Sequence, residues 1–149
     1  MGKVMVESVL VVCTGNLCRS PIAERLLHQS CPDLIIDSAG TMGPVGYSAD
    51  RLACYVSALR GISLDDHISR RLTPEMVKDY DLLLVMEPMH IGQIDVLSPG
   101  GRGKTMLFGH WSSRRDIPDP YRKSQDAFEY TFKLIEQATQ LWAEYLKLN

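Results

Sequence analysis

The chain lacks most of the features that direct a protein to a membrane, an export pathway or a nucleic acid. Its 16 basic and 18 acidic residues give a formal net charge of −2, so no excess of positive charge predicts nucleic-acid binding. No apolar run approaches the length of a membrane span. An export signal is not expected either, because Glu7 interrupts the apolar stretch between Met1 and Cys13 and no small-residue cleavage site follows.

Cysteine and histidine are also few, with four of each. The cysteines, at positions 13, 18, 31 and 54, do not have the paired spacing of a zinc site, and the histidines are scattered, so neither a metal nor another cofactor is predicted. Reduced thiols favour a cytoplasmic protein. A length of 149 residues, with 45% hydrophobic and 23% charged residues, predicts one globular domain over 1–149. We expect a monomer or a weak dimer.

Apolar runs of strand length alternate with helical patterns along the chain. The strand-like runs are Ser8–Val12, Leu34–Ser38, Asp81–Met86 and Lys104–Phe108. The helical patterns lie near Ser20–Ser30, Ala49–Arg60, Thr73–Lys78, Glu87–Leu97 and Ser124–Leu146. This alternation predicts a three-layer α/β fold, a doubly wound four-stranded parallel sheet in the order 2-1-3-4. Such a sheet binds ligands at the carboxyl ends of its strands, beside strand 1.

The most informative stretch follows the first predicted strand and precedes a helix that starts near Ser20. Cys13 and Arg19 enclose a loop whose members are Thr14, Gly15, Asn16, Leu17 and Cys18. Between a strand and a helix N-terminus, the backbone N–H groups of such a loop can point at one tetrahedral oxyanion. Arg19 adds a planar cation that binds two phosphate oxygens at once. The pattern therefore predicts a phosphate-binding loop with the Cys13 sulfur at its base.

A cysteine in this position is a candidate nucleophile. A helix N-terminus and a nearby cation favour the thiolate over the thiol, and the Ser20 hydroxyl can donate to the sulfur and ease its later departure. Taken alone, the motif also fits a small buried cysteine beside an ordinary Gly-Asn turn. Its position between a strand and a Ser-Pro helix start favours the nucleophile.

Thiolate attack on a phosphate ester expels an oxygen that needs a proton, which a carboxylic acid can supply. The candidate is Asp119, in the run Ile117–Tyr121, because a proline on each side restricts its backbone. Asp116 is less constrained, and Asp126 falls in the first turns of the last helix, where an acid complements the helix dipole. The alternative for Asp119 is a simple Pro-Asp-Pro turn.

Three runs resemble the low-molecular-weight protein tyrosine phosphatase family: Cys13–Ser20, Asp37–Gly40 and Asp119–Tyr121. Two further runs, Gly103–Trp111 and Ile117–Ser124, resemble a bacterial branch associated with capsule and exopolysaccharide production. There the enzyme dephosphorylates a membrane tyrosine autokinase. The resemblance implies hydrolysis of phosphotyrosine through a cysteinyl-phosphate intermediate. It makes Cys13 the nucleophile, Arg19 the phosphate clamp and Asp119 first the acid and then the base.

The resemblance also implies supporting roles around the loop. Asn16 would hold an unusual backbone conformation, and Ser38 and His67 would fix its side chain through hydrogen bonds. A solvent-facing histidine is the alternative for His67. Cys18 would form a reversible, protective disulfide with Cys13, or else it only fills space.

The substrate pocket departs from many relatives, which carry Trp or Tyr in the loop after the second strand. The run Thr41–Gly46 contains neither, so Met42 or Val45 is the nearest apolar substitute, and Tyr121 is expected to form the other wall. Four nearby cations either attract an acidic or multiply phosphorylated tail or form a solvated rim: Arg114, Arg115, Arg122 and Lys123.

Other functions compete with this interpretation. An arsenate reductase of the same fold needs a downstream cysteine pair, and no cysteine follows Cys54. A silent phosphoprotein-binding module would have lost the nucleophile or the acid. A thiol redox protein would carry two cysteines separated by two residues, whereas four separate Cys13 from Cys18. A general phosphatase for small aryl phosphates stays open.

Overall fold

The computed structural model describes residues 5–148 of the protein. Its elements, in chain order, are β1 (Ser8–Cys13), α1 (Arg19–Ser30), β2 (Ile35–Gly40), α2 (Arg51–Ala58), α3 (Pro74–Asp79), β3 (Leu82–Val85), α4 (Pro88–Leu97), a 3-10 turn (Gly101–Lys104), β4 (Thr105–Leu107) and α5 (Gln125–Leu148). The predictions of one domain over 1–149 and of no export signal both involve residues outside the described range. None of the described helices has the length and apolarity to cross a membrane.

The four strands form one parallel sheet in the order β2-β1-β3-β4, which confirms the predicted topology. β1 lies between β2 and β3, and its residues are apolar almost throughout because both faces of a parallel sheet are covered. All four strands run in the same direction, so their carboxyl ends share one edge. The loop that follows Cys13 leaves β1 at this edge.

Side chains on β1 alternate between two apolar layers. Val9, Val11 and Cys13 belong to the layer that contains the buried faces of α1, α2 and α5. Leu10 and Val12 belong to the opposite layer, with apolar residues of α3 and α4. The period of two along a strand therefore produces the predicted three-layer arrangement.

The last helix, α5, packs against α1 and α2 through one stripe of side chains at helical spacing. All its members are buried: Phe128, Phe132, Ile135, Thr139 and Trp142. Trp142 also donates its indole N–H to the Phe108 carbonyl at 2.7 Å, which ties the helix to the end of β4. The stripe therefore forms part of the core.

β2 extends two residues further than predicted, to Gly40 rather than Ser38. The extra residues pair with the end of β1, which brings Gly40 directly against the loop that follows β1. A Cβ atom on Gly40 would lie 2.5 Å from the Thr14 carbonyl oxygen and 3.0 Å from the Asn16 nitrogen. Only glycine fits here without displacing the loop.

α2 is shorter than predicted, starting at Arg51 instead of Ala49. The Asp50 side chain caps it by accepting the backbone N–H groups of Leu52 and Ala53, at 2.9 and 3.4 Å. The backbone N–H of Asp50 donates to the Leu17 carbonyl, so the start of this helix is attached to the loop after β1.

Candidate active site

The loop after β1 forms one wall of a pocket of about 410 Å³ at the carboxyl edge of the sheet. The pocket brings together residues from three separate parts of the chain. Its lining comprises Cys13, Thr14, Gly15, Leu17, Cys18, Arg19, Met42, Gly43, Pro44, Tyr47, Asp119 and Tyr121. The three predicted catalytic residues and both predicted pocket walls are among them.

The Cys13 sulfur is buried and receives two hydrogen bonds from its own loop. The Ser20 hydroxyl oxygen lies 3.0 Å from it, and the Asn16 backbone N–H donates to it at 3.3 Å. The Asn16 amide donates to the same hydroxyl oxygen at 2.8 Å, which leaves the hydroxyl proton of Ser20 free for the sulfur. Two donors therefore converge on one sulfur, an arrangement suited to hold a thiolate.

Asn16 has a φ of +59°, in the left-handed region that asparagine tolerates well. Its buried side-chain amide also donates to the Ser38 hydroxyl at 3.0 Å, and its side-chain oxygen accepts the Arg70 backbone N–H at 3.0 Å. His67 contacts the backbone carbonyl of Asn16, at 2.6 Å, and not the side chain that we expected it to hold. His67 therefore holds the backbone of this left-handed residue, while Ser38 and Arg70 hold its side chain.

His67 is buried rather than solvent-facing. Burial lowers the pKa of its imidazole, and because a carbonyl oxygen only accepts, the ring donates from Nε2. The segment that carries His67 is held by Arg25, which donates to the carbonyls of Ser63 and Asp65 at 2.9 and 3.1 Å. A neutral histidine thus fixes the loop without lining the pocket.

Arg19 is 1% exposed, and one of its two terminal nitrogens is held by two protein acceptors. One terminal nitrogen donates to the Glu87 carboxylate at 2.5 Å and to the Ile117 carbonyl at 2.8 Å. The other lies 3.5 Å from the Thr14 hydroxyl and 3.6 Å from an Asp119 carboxylate oxygen. Glu87 supplies the countercharge that a buried cation needs.

His90 lies in the first turn of α4 and is completely buried. Its Nδ1 accepts the Glu87 backbone N–H at 3.2 Å, and its Nε2 lies 2.9 Å from the Thr14 hydroxyl. Burial, together with the positive charge of Arg19, lowers the pKa of His90 to about 4. The sequence interpretation missed Glu87 and His90, although they directly follow the strand beside β1, where ligand-binding groups are expected.

Asp119 stands at the pocket mouth, with its side chain 45% exposed. One of its carboxylate oxygens accepts the Tyr121 backbone N–H at 3.1 Å. The segment is anchored by Ile117, which is buried and donates its backbone N–H to the Met86 carbonyl at 3.0 Å. Asp116 is exposed and does not line the pocket.

The aromatic wall after β2 is Tyr47, one residue beyond the run in which the sequence interpretation sought it. Met42 lines the pocket as predicted, whereas Val45 does not. Tyr121 lines it from the Asp119 side, and the Arg122 guanidinium lies 5.4 Å from the centre of the Tyr121 ring. The pocket therefore has two tyrosines at its walls.

The predicted cationic rim is partly engaged elsewhere. Arg114 donates to the Tyr130 hydroxyl at 3.0 Å, and Arg115 donates to the His110 ring at 2.9 Å. Lys123 is exposed beside Arg122. Arg122 and Lys123 directly follow Tyr121, which lines the pocket, so they are the rim cations closest to the pocket along the chain.

Cys18 is buried at the start of α1, and both it and Cys13 are free thiols. Burial raises the pKa of the Cys18 thiol, so this group stays protonated at neutral pH. A disulfide between the two stays a prediction. Within residues 5–148, no group of three or more acidic, cysteine or histidine side chains is arranged to hold a metal.

Comparison with known proteins relates this site to a family of enzymes. A family model described as low molecular weight phosphotyrosine protein phosphatase matches residues 8–149. Low molecular weight protein-tyrosine-phosphatase Etp of Escherichia coli is 52% identical over 146 residues, which cover 98% of this chain and 99% of Etp.

Two solved structures share the fold. The tyrosine phosphatase AmsI of Erwinia amylovora has a TM-score of 0.94 at 51% identity, over 95% of this chain and 94% of that chain. The tyrosine phosphatase Wzb of Escherichia coli K30, solved with sulphate, has a TM-score of 0.94 at 49% identity, over 95% and 99%. Since the family model and these relatives span nearly the whole sequence, the chain belongs to the low molecular weight phosphotyrosine protein phosphatase family.

Proposed function

We propose that the protein hydrolyses phosphotyrosine through a cysteinyl-phosphate intermediate, with Cys13 as nucleophile, Arg19 as phosphate clamp and Asp119 as general acid and base. The observation that carries this proposal is the environment of the Cys13 sulfur, which accepts from two donors inside a pocket lined by Arg19 and Asp119. A sulfur used only for packing needs no such donors.

In the first step the Cys13 thiolate attacks phosphorus, an S–P bond forms and the bond from phosphorus to the phenolic oxygen breaks. Asp119 gives its proton to the departing oxygen. The guanidinium of Arg19 faces both the loop and Asp119, so one cation can hold the phosphate oxygens next to the acid. Glu87 and the Ile117 carbonyl keep that guanidinium in place.

In the second step the Asp119 carboxylate takes a proton from water, which attacks phosphorus and breaks the S–P bond. The Cys13 thiolate is then the leaving group, and the Ser20 hydroxyl and the Asn16 N–H stabilise the charge that returns to the sulfur. The products are inorganic phosphate and the original enzyme.

The shape of the pocket supports an aryl ester as substrate. Tyr47 and Tyr121 can pack against a phenyl ring, and Met42 adds a flexible apolar contact. Small aryl phosphates satisfy the same contacts, so the chemistry extends to them. An arsenate reductase is disfavoured, since it needs a downstream cysteine pair and no cysteine follows Cys54.

The test is hydrolysis of p-nitrophenyl phosphate by Cys13→Ser, which should lose turnover while keeping its fold and some affinity for inorganic phosphate. Cys54→Ser is the matched control, because Cys54 lies on α2 outside the pocket and should leave turnover unchanged. Turnover by Cys13→Ser would contradict the assignment of the nucleophile.

We further propose that the physiological substrate is a phosphotyrosine protein, a membrane tyrosine autokinase of polysaccharide export, reached from the cytoplasm. The names of the relatives, Etp, AmsI and Wzb, support the bacterial branch that the sequence resembles. Arg122 and Lys123 beside the pocket suit an acidic or multiply phosphorylated tail.

Incubation with a phosphorylated autokinase and measurement of released phosphate tests this proposal. The wild type should release phosphate rapidly, and a double variant, Arg122→Ala with Lys123→Ala, should release it more slowly while hydrolysing p-nitrophenyl phosphate normally. Hydrolysis of the small substrate without release from the autokinase would contradict the physiological assignment alone.

A further inference from the structure

The His90 imidazole connects α4 to the phosphate-binding loop through both ring nitrogens. Its Nδ1 lies 3.2 Å from the backbone nitrogen of Glu87, and a backbone N–H only donates, so Nδ1 must carry a lone pair. In a neutral ring the proton then sits on Nε2. Nε2 lies 2.9 Å from the Thr14 hydroxyl oxygen and donates to it. The two contacts together select one tautomer.

The Thr14 hydroxyl has a second donor nearby, because a terminal nitrogen of Arg19 lies 3.5 Å from its oxygen. A hydroxyl accepts two hydrogen bonds and donates one. His90 and Arg19 fill the accepting sites, and neither nitrogen can accept a proton from Thr14. The hydroxyl proton is therefore left to donate elsewhere, and Thr14 lines the catalytic pocket.

We propose that His90 is a positioning residue that aims the Thr14 hydroxyl proton at a phosphoryl oxygen of the substrate. This inference rests on the proposed function, since it names a donor to the same phosphate. The charged groups that face the ring are Arg19, Glu87 and Asp119, and the ring acts in its neutral form. His90 itself touches neither the substrate nor the sulfur in this arrangement.

Two substitutions separate positioning from helix capping. In His90→Asn, the side-chain oxygen takes the place of Nδ1 and still accepts the Glu87 N–H, but no atom reaches Thr14. In His90→Gln, the longer amide can place its nitrogen near the position of Nε2 and donate to Thr14. If His90 only caps the helix, His90→Asn should impair phosphate binding less than His90→Gln. If His90 positions Thr14, His90→Gln should impair it less.

Binding of inorganic phosphate in a Cys13→Ser background, measured by calorimetry, gives a readout that needs no turnover. We expect His90→Asn to weaken phosphate binding about tenfold, as for loss of a hydrogen bond to a charged group. Thr14→Val should weaken it by a similar factor, and adding His90→Asn to Thr14→Val should weaken it less than about twofold further. His90→Gln should bind phosphate more tightly than His90→Asn.

Steady-state hydrolysis of p-nitrophenyl phosphate provides the second readout, with a parallel drop in kcat/KM for His90→Asn and Thr14→Val. ¹⁵N NMR of the wild-type imidazole should show an unprotonated Nδ1 and a protonated Nε2 between pH 6 and pH 8. Where a His90 variant does not fold, the phosphate titration of Thr14→Val and the ¹⁵N spectrum of the wild type still test the inference.

Three results would overturn the inference: equal phosphate binding by His90→Asn and its parent, fully additive losses in the double variant, or a proton on Nδ1. Turnover by Cys13→Ser would instead remove the proposed catalytic function. The phosphate titrations would still report on His90 in that case, so the two failures are distinguishable.

Discussion

Asn16 illustrates how much of the loop depends on one side chain. Its amide nitrogen donates to Ser20 and Ser38, its side-chain oxygen accepts from Arg70, and its backbone is left-handed. No other residue of this size supplies two donors and an acceptor while tolerating that conformation. Because the Asn16 amide can only donate to the Ser20 hydroxyl, the hydroxyl proton is available to the Cys13 sulfur.

Asp119 provides a prediction at the same scale. Asp119→Ala should reduce hydrolysis of phenyl phosphate by about 10²-fold or more, since a poor leaving group needs a proton from the acid. Hydrolysis of p-nitrophenyl phosphate should fall much less, because p-nitrophenolate leaves with little assistance. Steady-state kcat values across a series of aryl phosphates, plotted against leaving-group pKa, measure the difference.

The matched control for this prediction is Asp116→Ala, which removes an exposed carboxylate three residues earlier that does not line the pocket. It should leave the dependence on the leaving group unchanged. An equal loss for good and poor leaving groups in Asp119→Ala would remove Asp119 from the role of the acid.

At the scale of elements, the active site depends on how closely the ends of β1 and β2 approach. The backbone N–H groups of Thr41 and Met42 donate to the carbonyls of Cys13 and Thr14, both at 2.9 Å. The chain therefore supports the loop after β1 through the two residues that follow Gly40, the last residue of β2. These two bonds fix the backbone where β1 ends and the loop begins.

Gly40→Ala tests this support. Because the new Cβ would lie 2.5 Å from the Thr14 carbonyl oxygen, the loop must shift. We expect a loss of stability of about 2 kcal/mol, as for an overpacked core, and a fall in kcat/KM of at least about tenfold, roughly 1.4 kcal/mol of transition-state stabilisation. Urea unfolding and hydrolysis of p-nitrophenyl phosphate measure the two effects.

Gly92→Ala is the comparison for this change. A Cβ on Gly92 meets nothing within 4 Å, and the residue lies inside α4. Alanine should therefore retain full activity and gain up to about 1 kcal/mol from helix propensity. Normal activity and stability in Gly40→Ala would show that the loop does not depend on the approach of β2.

At the scale of the whole molecule, two buried histidines couple folding to pH. His67 holds the loop from the segment after α2, and His90 holds it from α4. Burial lowers the pKa of both. A lowered folded-state pKa means that the unfolded chain binds more protons, so acid favours unfolding.

Stability should therefore be highest above pH 7 and fall as the pH drops from 6.5 toward 4. For His90, with a folded pKa of about 4 and an ordinary unfolded value, the loss between pH 7 and pH 5 is about 2 kcal/mol. His67 adds a loss of the same sign. Urea unfolding at the two pH values measures the sum.

His90→Gln isolates the contribution of His90 to this pH dependence. The variant has no imidazole at this position, so the difference in its stability between pH 7 and pH 5 should be smaller than that of the wild type by about 2 kcal/mol. An unchanged difference would mean that His90 does not titrate with the expected shift.

The sequence alone determined those features of the protein that depend on residues close together in the chain. Cys13, Arg19 and the residues between them form one short run, and Asp119 lies between two prolines. The alternation of apolar runs predicted a parallel sheet, and right-handed crossovers left few strand orders, the expected 2-1-3-4 among them. The apolar stripe of α5 needed only the helical period.

Only the tertiary structure decided which distant groups meet that run. Glu87, His90 and Tyr47 approach the loop because parallel strands gather their carboxyl ends at one edge, and no local pattern marks them as partners of residues 13–20. The same holds for His67, whose contact with a backbone carbonyl depends on the left-handed turn at Asn16. Hydrogen bonds act over about 3 Å, so their partners are fixed by the packing of elements that are far apart in the chain.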